Sequence, residues 1–404
     1  MTTSTPVEIE NSTPRTSTPS TSTPSTSKPS AVGRPAPSRP TRSGRGTSLN
    51  PAGRYERQRV VPLAGDPDGF RTPGTGQGEI RGFFGRSRSG DTQVTAERAK
   101  TIITRNDSPD ISFDRSINPY RGCEHGCSYC FARPTHAYMG LSPGLDFEQK
   151  LFVKTGAAAM LEKELSAQGY EPQTIAIGTN TDPYQPVERH HRSMRSILEV
   201  LARCNHPVGI VTKSSLVTRD IDLLAPMAEK GLVKVALSIT TLDAKVARAL
   251  EPRAARPDMR IETIRALSSA GIPVSVMVAP IIPAITDHEI ETILTRAHEA
   301  GAREAGYILL RLPLEVADIF KGWLHDYFPD RCEHVMSLVR GSRGGKNYDS
   351  TFGVRMTGSG PYAWMIGRRF QIAAQRLGYS RERMKLRTDL YQRPVQPGEQ
   401  LSLF

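Results

Sequence analysis

Apolar positions organise the chain from about residue 110 onward. Short runs rich in β-branched residues, at 111–117, 174–178, 208–212, 233–239, 274–279 and 305–310, have the length and composition of buried strands. Stretches with helical spacing lie between them. One covers 157–168, with Met160, Leu161 and Leu165 on one face, and another covers 192–203, with Met194, Ile197, Leu198 and Leu201. Further helical patterns at 219–230, 260–270 and 286–300 each stop at a glycine, Gly231, Gly271 and Gly301. A left-handed residue after the last helical turn favours glycine. Thr286 and Glu289 have capping-box spacing, which predicts that they open the last of these helices.

Strands alternating with helices predict an α/β fold with a parallel sheet and right-handed crossovers. An open doubly wound sheet and a barrel both meet that description. Six units are too few for a full eight-fold barrel, and both forms stay open at this point. In either fold a ligand sits at the carboxyl ends of the strands. Polar residues do collect there: Gly178, Thr179, Asn180, Thr181 and Asp182 after the second run, Lys213 and Ser214 after the third, and Ser238, Thr240 and Thr241 at the end of the fourth.

Ahead of residue 98 this patterning is absent. Thirty of the first 50 residues are Ser, Thr or Pro, and Arg34, Arg39, Arg42, Arg45, Arg54, Arg57 and Arg59 follow among Gly and Pro. Such a segment buries too little apolar surface to offset its ordering entropy. The expected division is a disordered tail over 1–97, a core over 98–325 and a basic, mainly helical extension over 326–404.

The chain carries 53 basic and 41 acidic side chains, net +12, and residues 331–393 hold 13 of the basic ones against 4 acidic. Arg368, Arg369, Arg381, Arg383, Lys385 and Arg387 alternate there with Tyr362, Trp364, Phe370 and Tyr379. Arginine beside aromatic rings suits phosphate contact and base stacking, so nucleic acid is one expected partner. A helical cap with a solvated outer face is the equal alternative. No run of about 18 apolar residues is present, so no membrane helix is expected. The N-terminus has no apolar signal core, and five cysteines make no disulfide framework; the expected compartment is a reducing cytoplasm.

Three of those cysteines fall within eight positions. Cys123, Cys127 and Cys130 form C-x3-C-x2-C, with Gly122 and Gly126 allowing tight curvature. Three thiolates at these offsets can wrap one compact metal centre. A four-iron cluster ordinarily takes four thiolates, and a local fourth is missing. Three readings fit the spacing: a [4Fe–4S] cluster with one iron left open, a zinc site completed by His125 or His136, and a cluster closed by Cys332. Zinc modules favour paired C-x2-C knuckles, and no second knuckle occurs here.

The motif Cys123, Cys127, Tyr129, Cys130 after the first strand of a βα array resembles that of the radical SAM superfamily. With the downstream Gly178, Thr179, Asn180, Thr181, Asp182, Pro183, Tyr184, Gln185, Pro186, Val187 and Glu188, it looks most like the spore photoproduct lyase-like branch. The resemblance covers roughly 110–310 and implies an α/β fold of the partial (βα)6 TIM-like barrel type. It implies a [4Fe–4S] cluster on Cys123, Cys127 and Cys130, whose fourth iron chelates S-adenosylmethionine. It implies that Tyr129 packs on the adenine and that the Gly178, Asn180 and Asp182 turn holds the methionyl ammonium. That turn departs from the commoner Gly-Gly-Glu form. Lys213 would pair with the methionyl carboxylate and Ser238 would meet the ribose.

The implied activity is reductive cleavage of S-adenosylmethionine to a 5′-deoxyadenosyl radical that takes hydrogen from a substrate, with DNA or RNA in view. A one-electron reductant of flavodoxin or ferredoxin type is the implied partner. Photoproduct lyases use a cysteine near the second strand as hydrogen donor, and none lies between Cys130 and Cys204 here, which argues against the identical repair reaction. The rival reading is a non-catalytic module, holding zinc or a closed cluster, that contacts nucleic acid through its basic block. Two further motifs are decoys. Gly341 to Lys346 lacks the phosphate-loop spacing, and His190 and His191 are adjacent, so they point to different faces of a helix start.

Overall fold

Six strands form where the apolar runs stand: β1 (Arg115–Ile117), β2 (Ile175–Ile177), β3 (Val208–Thr212), β4 (Val233–Ile239), β5 (Val274–Ile281) and β6 (Glu304–Leu309). The computed structural model describes residues 44–55 and 91–394. Neighbouring strands pair in parallel and in chain order from β1 to β6, and Ile103–Arg105 adds an antiparallel edge beside β1. A doubly wound sheet reverses its strand order at a switch point. This sheet never reverses, which is the winding of a partial barrel.

The pleat divides each strand between two environments. On β4, Val233, Val235, Leu237 and Ile239 are fully buried and join the main apolar cluster with Ile261, Ile264 and Leu267 of the helix Pro257–Ser269. Alternate residues face the other way. The β3–β4 register pairs Val211 with Ala236 and Thr212 with Leu237. Continued by one residue, it places Lys213 beside Ser238, and the Lys213 ammonium donates to the Ser238 hydroxyl at 3.0 Å.

Several local expectations change. Residues 150–154, expected as loop, form the strand Lys150–Lys154, which pairs with Gln93–Glu97 and Tyr120–Arg121 in a separate three-stranded sheet. The capping box does not form. Thr286 accepts from the Ile282 amide at 2.9 Å, Glu289 accepts from Thr241 and from the Leu242 amide, and the helix starts at Ile290. A local turn has taken Thr286, and tertiary donors have taken Glu289. Within the stretch read as tail, 44–55 and 91–97 have packed positions: Arg45 is buried and donates to the Glu148 carbonyl at 2.9 Å. The rest of 1–97 lies outside the described residues. Of 326–404, the helices Cys332–Gly341 and Gly360–Arg376 are described, and 395–404 are not.

The turn after β2 depends on one glycine. Gly178 has φ +90°, and a Cβ there would stand 2.0 Å from the Val211 carbonyl oxygen of β3. Both backbone strain and overlap oppose any side chain. Gly178→Ala is expected to cost about 1–3 kcal/mol, read as a lowered urea midpoint at unchanged m-value.

Candidate functional site

The cysteine loop begins three residues after the β1–Tyr120 link. Gly122 and Gly126 take φ +75° and +67°, curving the backbone around the three thiols. The Cys123 amide donates to the Phe147 carbonyl at 2.9 Å, the Cys130 amide to the Cys127 carbonyl at 3.2 Å and the Ser128 amide to the Leu250 carbonyl at 3.0 Å. Cys123 and Cys127 are buried and Cys130 is half-buried. Burial raises all three thiol pKa values. The neighbouring thiols push Cys123 up further, and Cys130 does the same to Cys127.

A buried arginine clamps this loop. Arg133 has no exposed surface, and each of its N–H groups has an acceptor: the carbonyls of Cys127 (2.9 Å), Pro143 (3.2 Å), Gly144 (2.9 Å) and Gly126 (3.2 Å), and Glu148 Oε1 (2.6 Å). Glu148 Oε2 accepts the Gly46 amide at 2.9 Å. Gly46 lies so close that a Cβ on it would sit 1.5 Å from the Gly126 oxygen. Gln185 braces the opposite end, accepting from the Glu124 amide at 2.8 Å and donating to the Gly122 carbonyl at 3.1 Å.

Strand ends supply the rest. The Tyr129 hydroxyl donates to Glu251 and lies 3.1 Å from Thr240, and the Lys213 ammonium is 5.9 Å from the Tyr129 ring centre. Glu251 also pairs with the buried Arg260, which donates to the Ser238 carbonyl at 2.9 Å. Burial opposes a charge on Glu251, but Arg260 and Lys213 outweigh it and hold the carboxyl at about 2. Ser238 donates to the Ala279 carbonyl at 3.0 Å.

Asp182 is used on both oxygens. Oδ1 accepts from the Tyr184 amide (2.9 Å) and Thr212 (2.7 Å), and Oδ2 accepts from the Lys213 amide (2.7 Å), with His125 Nδ1 at 3.3 Å. Burial alone would raise its pKa; His125 and these donors bring it down to about 2. The Asn180 amide donates to Asn118 at 3.2 Å, which anchors the turn from β2 to the segment leading into the cysteine loop. The fold therefore brings Tyr129, Lys213, Ser238 and Asp182 to the cysteine loop, with Gly178 and Asn180 in the turn that carries Asp182.

Other candidates lie elsewhere. Cys204 packs in the main apolar cluster, and the charges acting on Cys332 are Glu333 and Lys321, with none of the three loop cysteines among them. His136 Nε2 meets the Lys150 carbonyl at 2.9 Å, and His190 and His191 are exposed. Tyr184 donates to Asp220 at 3.1 Å. In the basic block, Phe370 and Tyr379 are buried and Tyr362 donates to Asp287 at 2.6 Å, while Trp364 is 69% exposed. Glu148, Arg133, Glu251 and Arg260 carried no sequence signal, and Gln185 stood in the resembling motif without an assigned role. Glu251 stands 122 residues from the tyrosine it binds.

The donor set suits an iron–sulfur cluster better than a single ion. Three soft thiols share one buried loop, the ligand type that such clusters take. Among the described residues no three His, Cys, Asp or Glu side chains converge at single-ion spacing; His125 Nδ1 faces Asp182 and His136 Nε2 meets the Lys150 carbonyl, while the buried His136 Nδ1 has no hydrogen-bond partner.

The Radical SAM superfamily model matches residues 117–297, from β1 through the helix after β5. An uncharacterised protein of Mycobacterium tuberculosis (strain ATCC 25618 / H37Rv) is 38% identical over 232 residues, which span 57% of this chain and 68% of the relative. One from Methanocaldococcus jannaschii is 26% identical over 246 residues, 60% of this chain and 86% of that protein. Among solved structures, spore photoproduct lyase complexed with dinucleoside spore photoproduct superposes with a TM-score of 0.53 at 16% identity, covering 74% of this chain and 85% of that one. This last likeness is one of fold. With the thiol loop inside the matched region and a relative aligned over two thirds of its length, the chain belongs to the radical SAM superfamily of enzymes.

Proposed function

We propose that Cys123, Cys127 and Cys130 hold a [4Fe–4S] cluster beside a bound S-adenosylmethionine, and that the enzyme acts on nucleic acid. One observation carries the cofactor assignment. The β3–β4 register sets Lys213 against Ser238 at 3.0 Å and within 5.9 Å of the Tyr129 ring, one residue from Cys130. When bound, the cluster supplies one electron that cleaves S-adenosylmethionine to a 5′-deoxyadenosyl radical, which takes hydrogen from a substrate carbon.

The chain's own groups position the cofactor. Lys213 presents its ammonium to the methionyl carboxylate. The Gly178–Asn180–Asp182 turn receives the methionyl ammonium, with the Asp182 charge fixed behind it by His125 and the Lys213 amide. Tyr129 faces the adenine, its ring held in place by Glu251 and Thr240. Ser238 lies at the ribose, with its hydroxyl between Lys213 and the Ala279 carbonyl. Water exclusion follows from burial of Cys123, Cys127 and Tyr129.

The nucleic-acid reading rests on the basic block. Arg340, Arg355, Arg369 and Arg387 are held by carboxylates. Lys346, Arg368, Arg376, Arg381, Arg383 and Lys385 are exposed and have no carboxylate partner among the described residues. Trp364 stands one turn before Arg368 on the helix Gly360–Arg376, an exposed ring beside an exposed guanidinium. No helix among the described residues is long and apolar enough to cross a membrane. We place the enzyme in a reducing cytoplasm, where a flavodoxin- or ferredoxin-type protein supplies the electron.

Three outcomes are expected. Cys130→Ala, purified and reconstituted without oxygen, falls from about four irons per chain to background, and 5′-deoxyadenosine release under dithionite falls with it. Retained iron and cleavage would refute the ligand assignment. Lys213→Met keeps its iron but loses a charge-assisted bond of about 1.5–3 kcal/mol. Its Kd for S-adenosylmethionine therefore rises roughly tenfold to a hundredfold, measured by calorimetry. Single-stranded DNA or RNA oligonucleotides stimulate S-adenosylmethionine cleavage by the unaltered enzyme; no stimulation by either removes nucleic acid as substrate.

A further inference from the structure

A second basic surface lies apart from the C-terminal block, on the back of the cysteine loop. The segment 250–256 is bonded directly to that loop: the Ser128 amide donates to the Leu250 carbonyl at 3.0 Å, and the Arg253 amide donates to the His125 carbonyl at 3.3 Å. The Arg253 guanidinium reaches Glu124 at 3.1 Å. Glu251 sends its carboxylate inward to Tyr129. Outside this segment runs an open groove lined by Lys245, Arg248, Arg256, Arg45 and Tyr327. One residue layer thus separates the groove from the thiols.

Three of the groove's cations, Lys245, Arg248 and Arg256, are weakly compensated among the described residues. Lys245 and Arg248 project from the short helix Ala244–Leu250, are exposed, and have no carboxylate partner among the described residues. Arg256 pairs only with Asp258, both of them exposed, an arrangement that contributes little. The groove's own carboxylate, Glu251, is buried and committed to Arg260 and Tyr129. Positive potential is therefore concentrated over the segment that is bonded to the buried side of the cysteine loop. Such a field steers an anionic partner to that point and raises its association rate.

We infer that this groove is the docking surface for an acidic one-electron carrier protein. The inference rests on the cluster assignment above. Carboxylates on the carrier meet Lys245, Arg248 and Arg256. One electron then leaves the carrier, which is oxidised, and enters the centre on the cysteine loop, which is reduced; no bond is made and no proton moves. A single-stranded nucleic acid fits this groove less well, because its rim offers one aromatic ring, Tyr327, whereas Trp364 with the unpaired arginines lies on the other basic surface. The fold thereby gives electron and substrate separate approaches.

The test is binding of a reduced flavodoxin to the full chain at several salt concentrations, followed by calorimetry. The double variant Lys245→Glu/Arg248→Glu is compared with Arg381→Glu/Arg383→Glu, which carries the same change in net charge. A glutamate at 245 falls in the first turn of its helix, where negative charge is favoured, and one at 248 in the last turn, where it is not, so circular dichroism first checks that the variant is folded. The groove variant is expected to raise the flavodoxin Kd at least tenfold and flatten its salt dependence, while the control variant binds as the unaltered chain does. Dithionite-driven release of 5′-deoxyadenosine stays unchanged in the groove variant, and flavodoxin-driven release falls. The inference is overturned if flavodoxin does not bind the unaltered chain, if both variants bind alike, or if the groove variant loses a dT12 oligonucleotide instead. Absence of dithionite-driven cleavage in the unaltered chain refutes the cluster assignment, a different result from any of these.

Discussion

The site depends on the buried ion pair between Arg133 and Glu148. Taking two charges out of water costs several kcal/mol per ion, and their attraction offsets this only when every remaining donor and acceptor is satisfied. Here that condition is met. Arg133 divides its donors among four backbone carbonyls and one carboxylate, and two of those carbonyls, from Gly126 and Cys127, belong to the cysteine loop. Glu148 extends the constraint to Gly46 and, through its backbone, to Arg45. A loop rich in glycine and thiols, which has little intrinsic preference for one shape, is thereby held in a single curvature before any ligand arrives. Preorganisation of this kind is what a cofactor site requires, because ordering is then not charged against binding.

A second buried pair, Glu251 with Arg260, organises the strand-end side. Its carboxylate fixes Tyr129 and its guanidinium reaches the Ser238 backbone, so one ion pair sets two positions of the proposed cofactor site. Asp182 acts in the same manner on His125 and on the Lys213 amide. The residues assigned to the cofactor are few and partly accessible; those that hold them are charged and buried. Function therefore rests on ion pairs whose loss would leave an uncompensated charge in the interior.

The two basic surfaces also have different physical characters. The C-terminal one combines an exposed tryptophan with exposed arginines on a helix that covers the outer edge of the sheet. The other is a groove with its charge against the cysteine loop. Charge counted by segment located the C-terminal surface at 331–393 but not the groove, whose cations come from separate segments of the chain.

What the chain determined alone is its periodicity and its local chemistry. β-Branched runs and glycine stops predicted six parallel strands, and β3 and β4 fall on the expected residues 208–212 and 233–239, because one fully buried and one half-buried face leave a mostly apolar run that needs little context to be read. The spacing of Cys123, Cys127 and Cys130 on a Gly-flanked loop was likewise legible, and the fold gathers the three thiols on one largely buried loop. Hydrogen bonds and ion pairs between distant segments were not legible. Arg133 and Glu148, Tyr129 and Glu251, and Glu289 and Thr241 choose partners by distance in space. The Thr286 and Glu289 capping box failed for that reason, since acceptors that a helix start would use were closer to other donors. Strand register, too, was decided by packing: only the folded sheet brings Lys213 level with Ser238 and both to Tyr129, because a side chain's neighbours across a sheet follow from pairing and not from order along the chain.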